Sequence, residues 1–241
     1  MMKLKTLLFA IFFTPVSALW MLLSLPIIYG KSARATCYLA VRWNRIFLLF
    51  GKIFCGIKIK IEGAELLPAD KKYILAAKHS SMWETIFLYQ YFNGATFVLK
   101  QQLVDTPLIG QVAKNISMIA IERSQGVSAM SKLIKSIKAI KTYPLIIFPQ
   151  GTRVKQMQDD YNLEKYPYKK GVVAMSKGSG LPVYCMSHNA SVYWGRGFFS
   201  LKKSGTIVVK FEKYGKVLQS DQDLNEVANI IETTTKQLLQ K

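Results

Sequence analysis

The feature that most constrains this chain is an uncharged stretch close to its N-terminus. Residues 6–30 contain no Asp, Glu, Lys or Arg, and basic residues stand on both sides of the stretch. The apolar run over residues 7–28 is long enough to cross the hydrocarbon core of a bilayer, which takes about 20 residues. We therefore expect a membrane-associated helical segment ahead of the remainder of the fold.

Three interpretations of this segment remain open. Pro15 and Pro26 each remove a helix hydrogen bond, so a kinked or re-entrant anchor in one leaflet competes with a spanning helix. The third interpretation is a signal peptide cleaved after Ala18. The apolar run continues through residues 19–23, past that cleavage position, which favours an uncleaved anchor. The flanking basic residues do not decide the topology.

The next segment mixes apolar and basic side chains. Residues 40–54 have the pattern of an amphipathic helix, either lying on a membrane or packed on the core of the protein, and both interpretations stay open. Residues 58–61 alternate Lys and Ile, which is typical of a strand. We divide the chain into an N-terminal membrane anchor with an amphipathic helix, residues 1–57, and a second domain, residues 58–241.

The second domain has the pattern of an α/β protein. Short apolar strands are predicted at residues 73–77, 96–99, 118–121, 145–148, 182–186 and 206–211. Helices are predicted at residues 85–92, 128–141, 170–179 and 220–239. Strands that alternate with helices predict an α/β fold whose mixed, largely parallel sheet is flanked by helices.

The charge balance indicates whether the partner is a nucleic acid or an anionic membrane surface. Lys and Arg number 33 against 14 acidic residues, a net charge of +19, so the surface attracts polyanions. The basic residues are scattered along the chain rather than gathered in one patch or tail, and together with the apolar N-terminus this favours an anionic membrane surface over nucleic acid. The three cysteines follow no metal or disulfide spacing, and we expect them to be reduced.

The first of the two histidines carries the clearest chemical signal. His79 follows a predicted strand, and Glu84 lies one helical turn into the next element. Such a carboxylate can hold one ring nitrogen while the other accepts a proton from an attacking hydroxyl. An alternative is purely structural, because Ser81 and Glu84 have the spacing of a capping box that starts a helix.

A second group of polar residues follows the strand predicted at residues 145–148. Gly151 permits a tight turn, and Thr152 and Arg153 offer a hydroxyl and a guanidinium to a phosphate. The alternative is a plain turn with a solvated Arg153. Arg123 ends another predicted strand, and it is either an anion-binding residue or a surface charge.

Four blocks in this order resemble the glycerophospholipid acyltransferase family, in particular its bacterial 1-acyl-sn-glycerol-3-phosphate acyltransferases. The blocks are residues 79–84, similar to His-x4-Asp; residues 119–123, ending in Arg; Phe148-Pro149-Gln150-Gly151-Thr152-Arg153, similar to Phe-Pro-Glu-Gly-Thr-Arg; and Leu181-Pro182-Val183. The resemblance covers roughly residues 61–217.

The resemblance implies a reaction and its residues. An acyl chain would pass from a thioester of acyl carrier protein or coenzyme A to the sn-2 hydroxyl of 1-acyl-sn-glycerol-3-phosphate, giving phosphatidic acid. His79 would be the base and Glu84 its orienting carboxylate. The substrate-binding residues would be Lys100, Arg123, Gln150, Gly151, Thr152 and Arg153. The implied surroundings are membrane lipids at the cytoplasmic face of a bacterial inner membrane, with no metal, no cofactor beyond the thioester co-substrate, and no nucleic acid.

Two departures from the family pattern keep alternatives open. Glu84 stands where Asp is usual, and Gln150 stands where Glu is usual. Either change affects rate or acceptor identity more than fold. Another lysolipid acceptor therefore remains an alternative, as does a non-catalytic membrane-binding protein of the same fold.

Overall fold

A mixed sheet organises the part of the chain that the computed structural model describes, which is residues 2–121, 126–154, 163 and 165–240, with residues 126–129 described as backbone only. The strands are β1 (Ile57–Glu62), β2 (Ile74–Ala77), β3 (Thr96–Lys100), β4 (Ile119–Ile121), β5 (Leu145–Ile147), β6 (Val183–His188) and β7 (Gly205–Lys216). Their order is β1-β7-β6-β2-β5-β3-β4, and every neighbouring pair is parallel except β6 and β7. The predicted mixed, largely parallel sheet is confirmed.

Helices flank this sheet. They are α1 (Met2–Tyr29), α2 (Ala33–Cys55), α3 (Trp83–Tyr91), α4 (Gln101–Val104), α5 (Pro107–Asn115), α6 (Gly126–Ala139), α7 (Gly171–Ser179), α8 (Ala190–Tyr193) and α9 (Asp221–Leu239), with a short 3-10 helix at Ala64–Leu66. Each predicted strand and helix forms, with its ends displaced by a few residues. The sequence did not predict α4, α5 or α8, of which α4 and α8 have only four residues each and are too short to show a clear apolar period.

The N-terminal helices pair as a hairpin. Helix α1 continues through Pro15 and Pro26. Trp43 of α2 donates its indole N–H to the hydroxyl of Ser17 across the pair, at 2.9 Å. Phe9 and Phe13 have no exposed surface, and they pack with aromatic rings of α2 and of the α/β domain. Cleavage after Ala18 would remove both rings from the core, so the packing disfavours the signal-peptide interpretation.

Both ends of α1 contact the α/β domain. Near its start, the hydroxyl of Thr6 accepts a hydrogen bond from the backbone N–H of Lys202 at 3.0 Å. Near its end, the carbonyl of Ile28 accepts one from the side chain of Asn115 at 2.8 Å. A helix of this length extends about 42 Å. Since both of its ends contact the domain, α1 lies along the domain rather than pointing away from it. This position fits the re-entrant interpretation better than the spanning one.

The outer face of the hairpin is apolar and exposed. Leu19, Leu22 and Leu23 are 58%, 63% and 67% exposed, and Leu49 and Ile53 of α2 are 50% and 62% exposed. Helix α1 is also long and apolar enough to cross a membrane by length and composition. An apolar face of this extent indicates membrane association.

Helix α2 agrees in part with both interpretations of the amphipathic segment, a helix packed on the core and a helix lying on a membrane. Phe47 is fully buried in the domain core, whereas Arg42 and Arg45 are exposed. Strand β1 begins at Ile57. The division of the chain into domains at residue 57 stays a prediction, since aromatic residues of the hairpin belong to the same hydrophobic cluster as the sheet.

A buried ion pair joins the last helix to the centre of the sheet. Lys78, directly after β2, donates to both carboxylate oxygens of Glu232 on α9 at 2.6 and 2.7 Å. Tyr168 donates its hydroxyl to the same carboxylate at 2.7 Å. The side chains of Lys78 and Glu232 are 2% and 3% exposed. Desolvated charges of this kind depend on each other's presence.

We expect Glu232→Gln to lower the free energy of unfolding by about 3–5 kcal/mol, because Lys78 would remain buried without a compensating charge. Denaturant unfolding in detergent measures the change. Lys60→Ala is the matched control: it removes an exposed ion pair with Glu62 and should cost at most about 1 kcal/mol. The double variant Lys78→Met with Glu232→Leu should recover most of the loss, and a double variant as unstable as Glu232→Gln would contradict this account.

Candidate active site

Polar residues gather where the parallel strands end. Strand β2 is followed by His79, β3 ends at Lys100, and β5 leads into the turn that contains Gly151 and Arg153. Since β2, β5 and β3 are adjacent and parallel, their carboxyl ends meet at one edge of the sheet. In open α/β sheets this edge is where ligands bind.

His79 and Glu84 form a hydrogen-bonded pair at this edge. Nδ1 of His79 lies 2.8 Å from Oε1 of Glu84. An ionised carboxylate only accepts, so the neutral imidazole carries its proton on Nδ1 and presents Nε2 as an acceptor. The ring of His79 stacks on Phe148 with centroids 4.0 Å apart, which fixes its plane. The predicted base and orienting carboxylate therefore have the geometry that proton transfer needs.

The carboxylate of Glu84 is fully buried and surrounded by donors. The backbone N–H groups of Ser80 and Ser81 donate to it at 3.1 Å. Burial alone raises the pKa of this carboxyl, but the hydrogen bonds that it accepts from His79 and from the backbone outweigh that effect, so the pKa of Glu84 lies below its ordinary value. Glu84 is accordingly ionised at neutral pH.

Only one of the two hydrogen bonds of the capping box forms. Glu84 does reach back to the N–H of Ser81, but the hydroxyl of Ser81 accepts from Trp83 and donates to the carbonyl of Gly195. The reason is that α3 begins at Trp83, so Met82 rather than Ser81 occupies the N-cap position. Glu84 thus starts the helix and orients His79 with the same carboxylate.

The turn after β5 is tied directly to His79. Val154 donates its backbone N–H to the carbonyl of His79 at 2.8 Å, and Gly151 donates to Phe148 at 2.8 Å. Gly151 has φ of 66°, a left-handed conformation that favours glycine. Arg153 donates from Nη1 to the carbonyl of Arg196 at 3.0 Å. The turn therefore holds Arg153 on the same side of the sheet edge as the imidazole.

A cavity of about 920 Å³ opens at this point. Its polar lining includes His79, Thr85, Lys100, Gln102, Gly151, Thr152, Arg153, Lys169 and Arg196. Its apolar lining includes Val98, Leu99, Leu103, Ile121, Met130, Leu133, Ile147, Val172 and Met175. One space thus combines a base, several cations and an extended hydrocarbon surface.

The predicted site residues fall into three groups. Lys100, Thr152, Gly151 and Arg153 line the cavity together with His79, as the linear motifs predicted. Gln150 does not: it is 6% exposed, and its amide donates to the carbonyl of Tyr166 at 3.1 Å behind the turn. Arg123 lies outside the described residues.

Sequence reasoning missed three residues near the site. Arg196 and Lys169 add cationic side chains to the residues around the cavity, and His188 lies 3.9 Å from Glu84. The strand predicted at residues 182–186 runs two residues further, which brings His188 to the sheet edge. The position of His188 at the end of a predicted parallel strand was the sequence signal that could have identified it. Within the described part of the chain, no three His, Cys, Asp or Glu residues are grouped to hold a metal.

Comparisons with known proteins identify the family of this chain. A family model described as Acyltransferase matches residues 58–189. The 1-acyl-sn-glycerol-3-phosphate acyltransferase of Pseudomonas aeruginosa is 32% identical over 209 residues, which cover 86% of this chain and 78% of that relative. The enzyme of the same name from Bacillus subtilis is 27% identical over 132 residues, covering 52% of this chain and 59% of that relative.

A solved structure supports the fold. The crystal structure of the 1-acyl-sn-glycerophosphate (LPA) acyltransferase from Thermotoga maritima matches with a TM-score of 0.74 and 17% identity, covering 99% of this chain and 98% of that one. The likeness includes the N-terminal helical pair, because nearly all of both chains is matched. The resemblance inferred from the four sequence blocks is confirmed, and this chain belongs to the acyltransferase family.

Proposed function

We propose that this protein transfers a fatty acyl chain from a thioester to the sn-2 hydroxyl of 1-acyl-sn-glycerol-3-phosphate, giving phosphatidic acid. The observation that carries the proposal is the position of the His79–Glu84 pair beside a cavity that is lined by both cationic and apolar side chains. The names of the relatives support the same acceptor.

His79 acts as the general base. Its Nε2 takes the proton of the acceptor hydroxyl as the oxygen attacks the thioester carbonyl, and a tetrahedral intermediate forms. The C–S bond then breaks, and the imidazolium returns the proton to the thiolate that leaves. Glu84 stabilises the transient imidazolium because its carboxylate is ionised and 2.8 Å from Nδ1.

The phosphate of the acceptor binds to the cations around the cavity. Arg153 has one donor fixed on the carbonyl of Arg196 and other guanidinium N–H groups left for a ligand, and Lys100 and Thr152 line the same space. We place Arg123 in the same role on the resemblance alone. Gln150 supports the turn from behind rather than binding substrate.

The apolar part of the cavity accepts an acyl chain. Leu133, Ile147, Val172 and Met175 are largely or fully buried side chains of α6, β5 and α7 that line it. Burying hydrocarbon there contributes about 0.8 kcal/mol for each CH₂ group. The acyl donor is a thioester of acyl carrier protein or of coenzyme A. It is a co-substrate, and no further cofactor takes part.

The membrane supplies the acceptor. The exposed apolar face of the α1–α2 hairpin enters one leaflet, and the net charge of +19 favours an anionic lipid surface. We assign the protein to the cytoplasmic face of a bacterial inner membrane. Nucleic acid has no part in this proposal.

Replacing His79 tests the reaction. The protein in detergent, given lysophosphatidic acid and each thioester in turn, should form phosphatidic acid, and His79→Ala should lose about 10²–10⁴-fold in kcat because the general base is absent. Lys60→Ala, an exposed change away from the cavity, should retain full activity. An equally active His79→Ala would end the general-base assignment. Transfer to other lysolipids alone would instead identify a different acceptor.

Replacing Arg153 tests phosphate binding. We expect Arg153→Ala to raise the KM for lysophosphatidic acid about 10- to 100-fold, since a charge-assisted hydrogen bond contributes roughly 1.5–3 kcal/mol. Activity on monoacylglycerol, which has no phosphate, should hardly change. Arg153→Lys should recover part of the loss. Equal losses on both acceptors would show that Arg153 supports the turn instead of binding phosphate.

Charges on the outer face of the hairpin test membrane binding. Leu19→Glu with Leu23→Glu should reduce sedimentation with vesicles containing anionic lipid at least about tenfold, because each carboxylate opposes burial in hydrocarbon. Gln237→Glu, an exposed change on α9, is the control and should bind normally. Undiminished binding by the double variant would place the membrane contact elsewhere.

A further inference from the structure

The second histidine of the chain lies directly behind the proposed catalytic pair. His188 ends β6, next to β2 in the sheet, and it has no exposed surface. Its Nε2 is 3.0 Å from the carbonyl of Lys78, the residue that precedes His79, and 3.9 Å from Oε2 of Glu84. The two oxygens of Glu84 therefore face two different imidazoles.

Hydrogen bonding fixes the tautomer of His188. Its Nδ1 accepts the backbone N–H of Ala190 at 3.1 Å, so the proton of the neutral ring is on Nε2. That N–H donates to the carbonyl of Lys78 at 3.0 Å, and the same nitrogen lies 3.9 Å from Oε2 of Glu84. His188 and His79 consequently hold opposite tautomers, with the proton on Nε2 in the first and on Nδ1 in the second.

The surroundings keep His188 uncharged. Burial lowers the pKa of His188, and the charges of nearby His79 and Lys78 lower it further, which together outweigh the attraction of Glu84 and the hydrogen bond to the Lys78 carbonyl. The charge of Lys78 is in turn paired with Glu232 of α9. A neutral ring has a useful property here, because it presents a dipole to Glu84 without adding a cation that would oppose the imidazolium of His79.

We propose that His188 is a positioning residue for acyl transfer: its Nε2–H holds the Lys78 carbonyl and its ring packs 3.9 Å from Oε2 of Glu84, and the carboxylate so confined keeps the proton of His79 on Nδ1. The inference rests on the proposed function for its catalytic part. Its structural part, the pair of opposite tautomers, can be measured without substrate.

The tautomers are tested by ¹⁵N NMR of protein labelled at histidine. The chain has two histidines, and His188→Gln assigns both spectra. At neutral pH we expect the signals of two neutral rings. The ring with its proton on Nε2 is His188, and its signals should be missing from the spectrum of His188→Gln, whereas the ring with its proton on Nδ1 is His79. His188→Leu should shift the remaining ring toward a mixture of tautomers. A cationic His188 at neutral pH, or a His79 tautomer unchanged in His188→Leu, would overturn the proposal even for an active enzyme.

A double-mutant cycle tests the effect on catalysis. His188→Leu should lower kcat about tenfold with little change in KM, and His188→Gln, which retains an N–H donor, should recover part of the loss. In the Glu84→Gln background the same His188→Leu change should cost less than about twofold, because the oriented carboxylate is already gone. Equal costs in both backgrounds would mean that His188 only stabilises the strand, and the proposal would be wrong.

Ser187→Ala is the matched control for this cycle. Ser187 precedes His188 on β6, is fully buried, and donates its hydroxyl to the carbonyl of Ile231 at 3.0 Å. It should lower stability without coupling to Glu84→Gln. A wild-type protein that fails to acylate any lysolipid would refute the proposed function, while the NMR experiment would still decide whether His188 orients the pair.

Discussion

The buried carboxylate of Glu84 is the constraint around which this edge of the sheet is arranged. A carboxylate with no exposed surface stays ionised only where donors replace the water that it has lost. Those donors come from the segment after β2, through the N–H groups of Ser80 and Ser81, and from the ring of His79. His188 adds a further dipole from β6. The start of α3, the end of β2 and the end of β6 are thereby fixed relative to one another.

The segment between α8 and β7 connects this site to the membrane hairpin. Gly195 accepts from Ser81, Arg196 accepts from Arg153, and Lys202 donates to Thr6 of α1. Trp194, at the start of the segment, packs on Phe9 with ring centroids 5.1 Å apart. A chain of direct contacts therefore joins α1 to the residues beside His79 and Arg153.

Lys202 explains why that segment keeps its shape. Its ammonium group is buried, donates to the carbonyls of Phe198 and Ser200, and lies 4.4 Å from the ring centroid of Trp194. Burial lowers the pKa of Lys202 to about 8, since desolvation opposes its charge more than its neighbours favour it. The carbonyls and the aromatic face together replace the solvation that the lysine has lost.

The sequence by itself determined the parts of this protein that depend on neighbouring residues. The apolar N-terminal run, the strands of the sheet, the His79–Glu84 spacing and the turn from Phe148 to Arg153 are all local patterns, and each was predicted. The family resemblance also placed Gln150 among the substrate-binding residues. The structure instead turns this side chain into the protein, toward the carbonyl of Tyr166.

Only the tertiary structure decided which distant residues meet. His188 approaches Glu84 because β6 lies beside β2, and Glu232 approaches Lys78 because α9 packs behind the same strands. The membrane segment lies along the domain because both of its ends find hydrogen-bonding partners there, which no hydropathy pattern records. Periodicity and motif spacing describe short stretches of chain, whereas strand order and the burial of charge depend on contacts between residues far apart in the sequence.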